Sequence, residues 1–172
     1  PSPENISHGL LDEVSALVEQ PVALVGQCDQ KYLALPREVL LASMAKYQRV
    51  FAMQSKSGRL LPKFVGILDG KPGKPTDVRQ QYEFILNARL ADSLLFLTQD
   101  RRQLPLDHMA KQLKDVSFHE QLGSMADKTK RLHKLSAVLE QAWGLSLEEA
   151  SHLRRACELA KADLVSTMVK EF

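Results

Sequence analysis

Apolar residues recur along this chain at two spacings, and the change from one to the other divides it. In residues 6–19, Leu10, Leu11, Val14, Leu17 and Val18 fall three and four apart ahead of Pro21, which predicts a short amphipathic helix. Val22-Ala23-Leu24-Val25-Gly26 is a continuous apolar run between turn residues and predicts a short buried strand. Pro36 before Arg37-Glu38 suits a first helical turn, and the helix predicted over 37–47 buries Val39, Leu40 and Met44, with Tyr47 at its end. Val50-Phe51-Ala52-Met53 and Phe64-Val65-Gly66-Ile67-Leu68 flank a turn at Ser57-Gly58, the pattern of an antiparallel hairpin.

Residues 69–75 hold two Gly and two Pro among Lys and Asp, so they are the predicted boundary loop. Beyond it the helical period takes over. Val78, Tyr82, Ile85, Leu86, Ala88, Leu90, Leu94 and Leu95 predict one long helix over 77–98, and Pro105 opens a second over 106–114. Val116-Ser117-Phe118 is too short to type by periodicity and suits a strand or an extended lead-in. A helix over 127–143 carries Leu132, Leu135, Val138, Leu139 and Ala142 on one stripe, with Gly144 to stop it and Trp143 to close a helix–helix contact. Ser146 with Glu149 forms a capping box for a last helix through Leu147, Ala150, Leu153, Cys157, Ala160, Leu164 and Met168. The expected fold class is α+β: a mixed portion over 1–75 with a short hairpin, then an all-α portion of about four helices over 76–172.

With 172 residues, 44% of them hydrophobic, the chain can bury one good core or two small ones. A net charge of +2 hides an asymmetry. Residues 31–63 hold seven Lys or Arg (Lys31, Arg37, Lys46, Arg49, Lys56, Arg59, Lys63) against the single acid Glu38, whereas residues 1–20 hold Glu4, Asp12, Glu13 and Glu19 with no Lys or Arg. Such a local basic field attracts a polyanion such as RNA, although solvated faces would have the same composition. Cys28 and Cys157 lack CxxC spacing and a companion His, which predicts buried free thiols rather than zinc or a disulfide. No apolar run approaches the roughly 20 residues of a membrane span, and no signal-peptide pattern opens the chain, so a cytoplasmic protein without a membrane partner is expected. A start at Pro1 and an end at Phe172 without a terminating signal predict a piece of a longer chain.

Phosphate-cradling P-loops, dinucleotide Gly-x-Gly-x-x-Gly turns, Gly-x-Ser-x-Gly elbows and His-Glu-x-x-His zinc helices have no match here, so no catalytic residues are expected. His119-Glu120 lacks further ligands and suits a hydrogen-bonded pair rather than a metal site. Helical phosphohydrolases of the HD type hold divalent ions through His-Asp dipeptides. This chain has none, since Asp163 follows Ala162.

Lys128, Lys130, Arg131 and Lys134 follow Gly123, and at steps of three Lys128, Arg131 and Lys134 share one helix edge that could track a nucleic-acid backbone. The alternative is a solvated face with Asp127 as partner. Lys46 and Arg49 flank Tyr47, an arrangement suited to stacking a base and holding its phosphate, or to a tyrosine packed in the core. Arg89 and Asp92, one turn apart, suit an intrahelical ion pair with a structural role, and Asp127 suits a helix N-terminus.

Seven stretches in one order carry a resemblance over nearly the whole chain. They are Pro21-Val22-Ala23-Leu24-Val25-Gly26, Leu35-Pro36-Arg37-Glu38-Val39-Leu40, Lys46-Tyr47-Gln48-Arg49-Val50-Phe51, Leu60-Leu61-Pro62-Lys63-Phe64, Ala88-Arg89-Leu90-Ala91-Asp92-Ser93, the run from Phe118-His119-Glu120-Gln121-Leu122-Gly123 to Arg131-Leu132, and the run from Lys161-Ala162-Asp163-Leu164-Val165 to Lys170-Glu171-Phe172. Together they resemble the β-subunit family of bacterial glycyl-tRNA synthetase. Phe84 and Asn87 stand where that family usually has arginines, and His119 where Gln is usual. The resemblance implies a subunit of glycine–tRNA ligase that contributes tRNA-Gly binding, pairs with an α subunit, and holds no complete active site in this segment. It implies that the α subunit uses ATP and Mg, that no cofactor sits here, that Asp163 lies inside an incomplete HD-like helical region, and that DNA is not a partner. The other readings are an HD-like metal-dependent phosphohydrolase and a diverged interaction module.

Overall fold

The computed structural model describes residues 8–171. The expectations for Glu4, for the first residues of the opening helix (Ile6, Ser7) and for Phe172 lie outside them. The chain forms two compact units, one up to Leu95 and one from Phe96 on.

In the first unit, helix α1 (His8–Leu17) precedes strand β1 (Pro21–Gln27), and α2 (Arg37–Ala42) precedes the β2 (Phe51–Gln54) and β3 (Leu60–Asp69) hairpin. The three strands form an antiparallel sheet in the order β1-β3-β2. Strand β1 is therefore an edge, and Val25 on it is half exposed rather than buried. A continuous apolar run could not distinguish an edge strand from a covered one, because that depends on which strand pairs on both sides. Asp69 fixes the sheet's open end by accepting the Glu19 and Gln20 N–H groups on Oδ1, at 3.1 and 2.8 Å.

Phe64 is fully enclosed at the middle of β3, and its cross-strand partner on β1 is Gly26. A Cβ at Gly26 would run into the Phe64 ring. Glycine here is a packing requirement, since the ring lies over the space a side chain would fill. Leu40, Met44, Val50, Leu86 and Leu90 complete this core. The helix predicted over 37–47 is not uniform: after Ala42 it widens into a π-turn, Ser43–Tyr47. A short 3₁₀ segment, Gln30–Ala34, also intervenes before α2 and buries Tyr32.

Helix α3 (Pro75–Arg102) is the predicted long helix extended at both ends. It buries Leu86, Leu90 and Ser93, while Ile85 and Leu95 of the predicted stripe stay half exposed. Ser43 and Ser93 place buried hydroxyls 3.2 Å apart. Each also donates to a carbonyl one turn back, Val39 and Arg89 respectively, so neither is left unsatisfied.

In the second unit, α4 (Leu106–Gln112) runs into a 3₁₀ turn, Leu113–Asp115, and a two-stranded hairpin of β4 (Ser117–His119) and β5 (Gly123–Ser124). Helices α5 (Met125–Trp143) and α6 (Leu147–Leu159) follow. Met109, Leu113, Ala162 and Val165 form the core. The last predicted helix is broken: α6 stops at Leu159, Lys161 takes a left-handed backbone (φ 67°), a 3₁₀ turn covers Ala162–Val165, and α7 is Thr167–Glu171. Two interactions account for the break. Ala162 and Val165 turn into the core, and Asp100 accepts the Thr167 and Met168 N–H groups at 2.7 and 2.9 Å, satisfying donors that a helix start leaves open.

Helix α5 does not bury its leucine stripe. Ser136 is its buried position, Leu135 and Val138 are exposed, and Trp143 is 67% exposed, so Trp143 closes no helix–helix contact. On α6 the buried position is Ala150, and Leu147 is 89% exposed. Small side chains thus occupy the inner positions of this helix pair, and large apolar ones stand outside. Cys28 is buried, whereas Cys157 is half-buried, and both are free thiols.

Both α5 and α6 begin with reciprocal capping boxes, Ser124 with Asp127 and Ser146 with Glu149. Asp127 is the third helical residue rather than the cap itself. Its carboxyl is held well below the usual range because it accepts the Ser124 N–H, the Lys130 ammonium and the Ser124 hydroxyl.

Gly26→Ala is expected to destabilise the chain by about 1–3 kcal/mol through overpacking against Phe64, and an unchanged urea midpoint would refute that contact. Ser124→Ala should cost roughly 1 kcal/mol in the same measurement. A depressed carboxyl stabilises the fold above its unfolded value and loses that contribution as pH falls through about 4 toward its folded value. Asp127→Asn should accordingly flatten the acid limb of stability between about pH 5 and 2. Parallel limbs for the two proteins would show that Asp127 does not hold the cap.

Candidate nucleic-acid interface

Cations gather in two places, one in each unit. In the first unit, the π-turn after α2 adds a residue to the helical turn, and the chain leaves it through Arg49 in a left-handed conformation (φ 49°). Non-glycine residues rarely adopt such a backbone, and the buried Met44 and Val50 on either side hold it, with the Val50 N–H donating to the Met44 carbonyl at 3.1 Å. Tyr47 is half-buried. The Arg89 guanidinium lies 4.8 Å from its ring centre and the Lys46 ammonium 5.6 Å. Arg89 is thus engaged by Tyr47, and the predicted ion pair with Asp92 is not formed; Asp92 is exposed on α3. Arg49 donates through Nε to Glu13 Oε1 at 2.6 Å, which orients the guanidinium. Both partners are about half exposed, so this pair adds little to stability.

Beside this turn, a cleft of about 380 Å³ opens between α1, β3 and α3. Val14, Ile67 and Ile85 give it apolar walls, and Tyr47, Gln48, Arg49, Gln81 and Tyr82 supply its polar atoms. A larger cavity of about 650 Å³ lies between α1, α2 and the sheet, lined almost wholly by apolar side chains such as Leu10, Met44 and Phe51. Sequence reasoning singled out Tyr47 and Arg49 but missed Gln48, Gln81 and Tyr82. Gln81 and Tyr82 belong to α3, and no local pattern points from them to a turn more than thirty residues earlier.

In the second unit, the cations of α5 fold back on the hairpin before it. Lys128 Nζ lies 4.3 Å from the Phe118 ring centre, and Arg131 Nη1 donates to the Leu122 carbonyl at 2.9 Å. Lys130, not Lys128, pairs with Asp127, at 3.0 Å. Lys134 is exposed. Lys130 and Arg131 lie in the second turn of α5, and Lys128 closes the first, where the positive end of the helix dipole disfavours a cation. A sequence shaped for helix stability alone would place acids there, and Asp127 offsets the cost only in part.

The remaining motif residues have structural surroundings. Asn87 Oδ1 accepts the Asp29 N–H at 2.8 Å and Glu83 Oε1 accepts the Gln27 N–H at 3.0 Å, so α3 covers part of the open edge of β1. Phe84 is 76% exposed. His119 Nδ1 accepts the Gln121 N–H across a tight turn rather than pairing with Glu120. Asp163 is exposed on its 3₁₀ turn next to the buried Ala162. Among the described residues, no three His, Cys, Asp or Glu side chains gather to hold a metal ion, and no helix is long and apolar enough to cross a membrane.

Comparison with known proteins adds what these contacts leave open. The family model described as glycyl-tRNA synthetase beta subunit matches residues 4–172. The glycine–tRNA ligase β subunit of Levilactobacillus brevis is 40% identical over 168 residues, which is 98% of this chain and 24% of the relative. That of Syntrophomonas wolfei is 46% identical over 163 residues, 95% of this chain and 23% of the relative. The Bacillus subtilis β subunit is 38% identical over 167 residues, 97% and 24%. The chain thus spans about a quarter of the length of the curated relatives it matches. Matched from residue 4 to 172 by the family model, and by these relatives over nearly all its length, the chain belongs to the glycyl-tRNA synthetase β-subunit family.

Proposed function

We propose that this chain is a segment of a glycine–tRNA ligase β subunit that contributes tRNA-Gly contacts and an α-subunit contact surface to glycyl transfer, without a complete active site of its own. The observation that carries this reading is the family match across residues 4–172. The placement of cations supports the tRNA half: Lys128, Lys130 and Arg131 lie in the first two turns of α5, with Lys134 one turn on, and Lys46 and Arg49 frame Tyr47 beside a cleft. Leu135 and Val138, one turn apart, are exposed on α5, and Trp143 and Leu147 are exposed where α5 gives way to α6, which supports the assembly half because large exposed apolar groups mark protein contact surfaces. In this reading ATP, Mg and glycine activation belong to the α subunit, and the work is cytoplasmic.

A filter-binding titration of the chain with tRNA-Gly and a non-cognate tRNA over a salt series tests it. Binding should weaken linearly in log–log form as salt rises, and the double variant Lys128→Glu, Arg131→Glu should lower the slope by about 2, close to one unit for each phosphate that is no longer neutralised. An unchanged slope would remove α5 from the interface. Undetectable binding at low salt would remove RNA contact from this segment altogether.

A further inference from the structure

Resting on the RNA-contact reading above, we propose that the cleft beside the π-turn is a pocket for one unstacked nucleobase, with Tyr47 and Tyr82 as its aromatic wall and the amides of Gln48 and Gln81 at its polar rim. Size is the first argument. At about 380 Å³ the cleft falls at the small end of the range for ligand pockets and suits a single flat ring system rather than a helix or strand. Its chemistry is the second. Its lining mixes the apolar side chains of Val14, Ile67 and Ile85, which suit a ring face, with the polar groups of Gln48, Gln81 and Tyr82, which suit the hydrogen-bonding edge of a base.

Two amides without work inside the protein provide the third. Neither Gln48 nor Gln81 makes a side-chain hydrogen bond within the described residues, and an amide can serve both donors and acceptors of a base edge. Tyr82 has a fixed place: its ring packs on β3 at Gly66, in ordinary contact with the space a Cβ there would take. The fourth argument is the backbone. A π-turn followed, after Gln48, by a left-handed Arg49 is an irregularity that the fold sustains, and both features deliver residues to this cleft. Lys46 and Arg89 lie over the Tyr47 ring, so a phosphate attached to the base would meet positive charge. The larger cavity has no comparable polar rim and carries no such argument.

The test compares three RNAs of equal length and phosphate count in fluorescence-anisotropy titrations of this chain: a single strand, the same strand with abasic sugars, and a duplex. The single strand should bind roughly fivefold or more tightly than the abasic strand, the loss expected for one base stack. Gln81→Ala, at an exposed position of α3, should shrink that preference about threefold or more with an unchanged urea midpoint, and Tyr82→Leu should abolish it. Equal affinity for the normal and abasic strands, or a preference that survives Gln81→Ala and Tyr82→Leu, would overturn the pocket while leaving the electrostatic RNA contact standing. The cleft would then be better matched to a protein segment. Absence of binding to all three RNAs would overturn the pocket and the RNA reading together.

Discussion

Phe64 has no solvent exposure because Gly26, opposite it on β1, leaves room for its ring. Much of the first unit is arranged around that one contact. Strand β3 pairs on both sides, so the Gly26–Phe64 register fixes β1, and the 51–65 pairing fixes β2. With the sheet set, α3 can bury Leu86 and Leu90 and still reach the edge of β1 with Glu83 and Asn87. A one-residue slip in pairing would put every side chain of β1 on the wrong face. The glycine therefore acts as a register mark, and the helix that closes the edge depends on it.

Local irregularity in this protein is concentrated where charge is concentrated. The π-turn and the left-handed Arg49 lie within the most basic stretch, and Lys128, in the first turn of α5, opposes the dipole of the helix that bears it. Capping offsets part of the second cost: Asp127 satisfies the Ser124 N–H and pairs with Lys130, which leaves Lys128 to Phe118 and Arg131 to the Leu122 carbonyl. Lys128 and Arg131 are oriented without being neutralised, because an aromatic ring and a peptide carbonyl carry no net charge. Positive potential is kept on the surface while the side chains lose freedom in advance, which lowers the entropy lost on meeting an anion.

Strong local signals were legible in the chain. The α+β class, the hairpin around Ser57-Gly58, the long helix through Leu86 and Leu90, the stop at Gly144 (φ 60°) and the capping box at Ser146 all follow from rules that act within a few residues. Collinear motifs identified the family for the same reason, since they are properties of the string. What stayed hidden depends on a partner far away in sequence. The stripe Leu135, Val138 and Ala142 has regular helical spacing, yet α5 turns Ser136 inward and α6 Ala150, because which face is buried depends on how the ridges of one helix meet the grooves of its neighbours. Likewise, continuous spacing from Leu147 to Met168 suggested one helix, but the carboxylate of Asp100 offered Thr167 and Met168 a separate start.

The sequence by itself determined most of the elements, their caps, the family and the charge of each segment, because these rest on short-range periodicity, backbone chemistry and composition. Tertiary structure alone decided that Arg89 lies over Tyr47 instead of pairing with Asp92, that Gln48 and Gln81 border one cleft, and that Phe118 and Leu122 hold the cations of α5. These are contacts between side chains on separate elements. Their energies depend on the distance and burial that packing creates, and a linear chain specifies neither until it is folded.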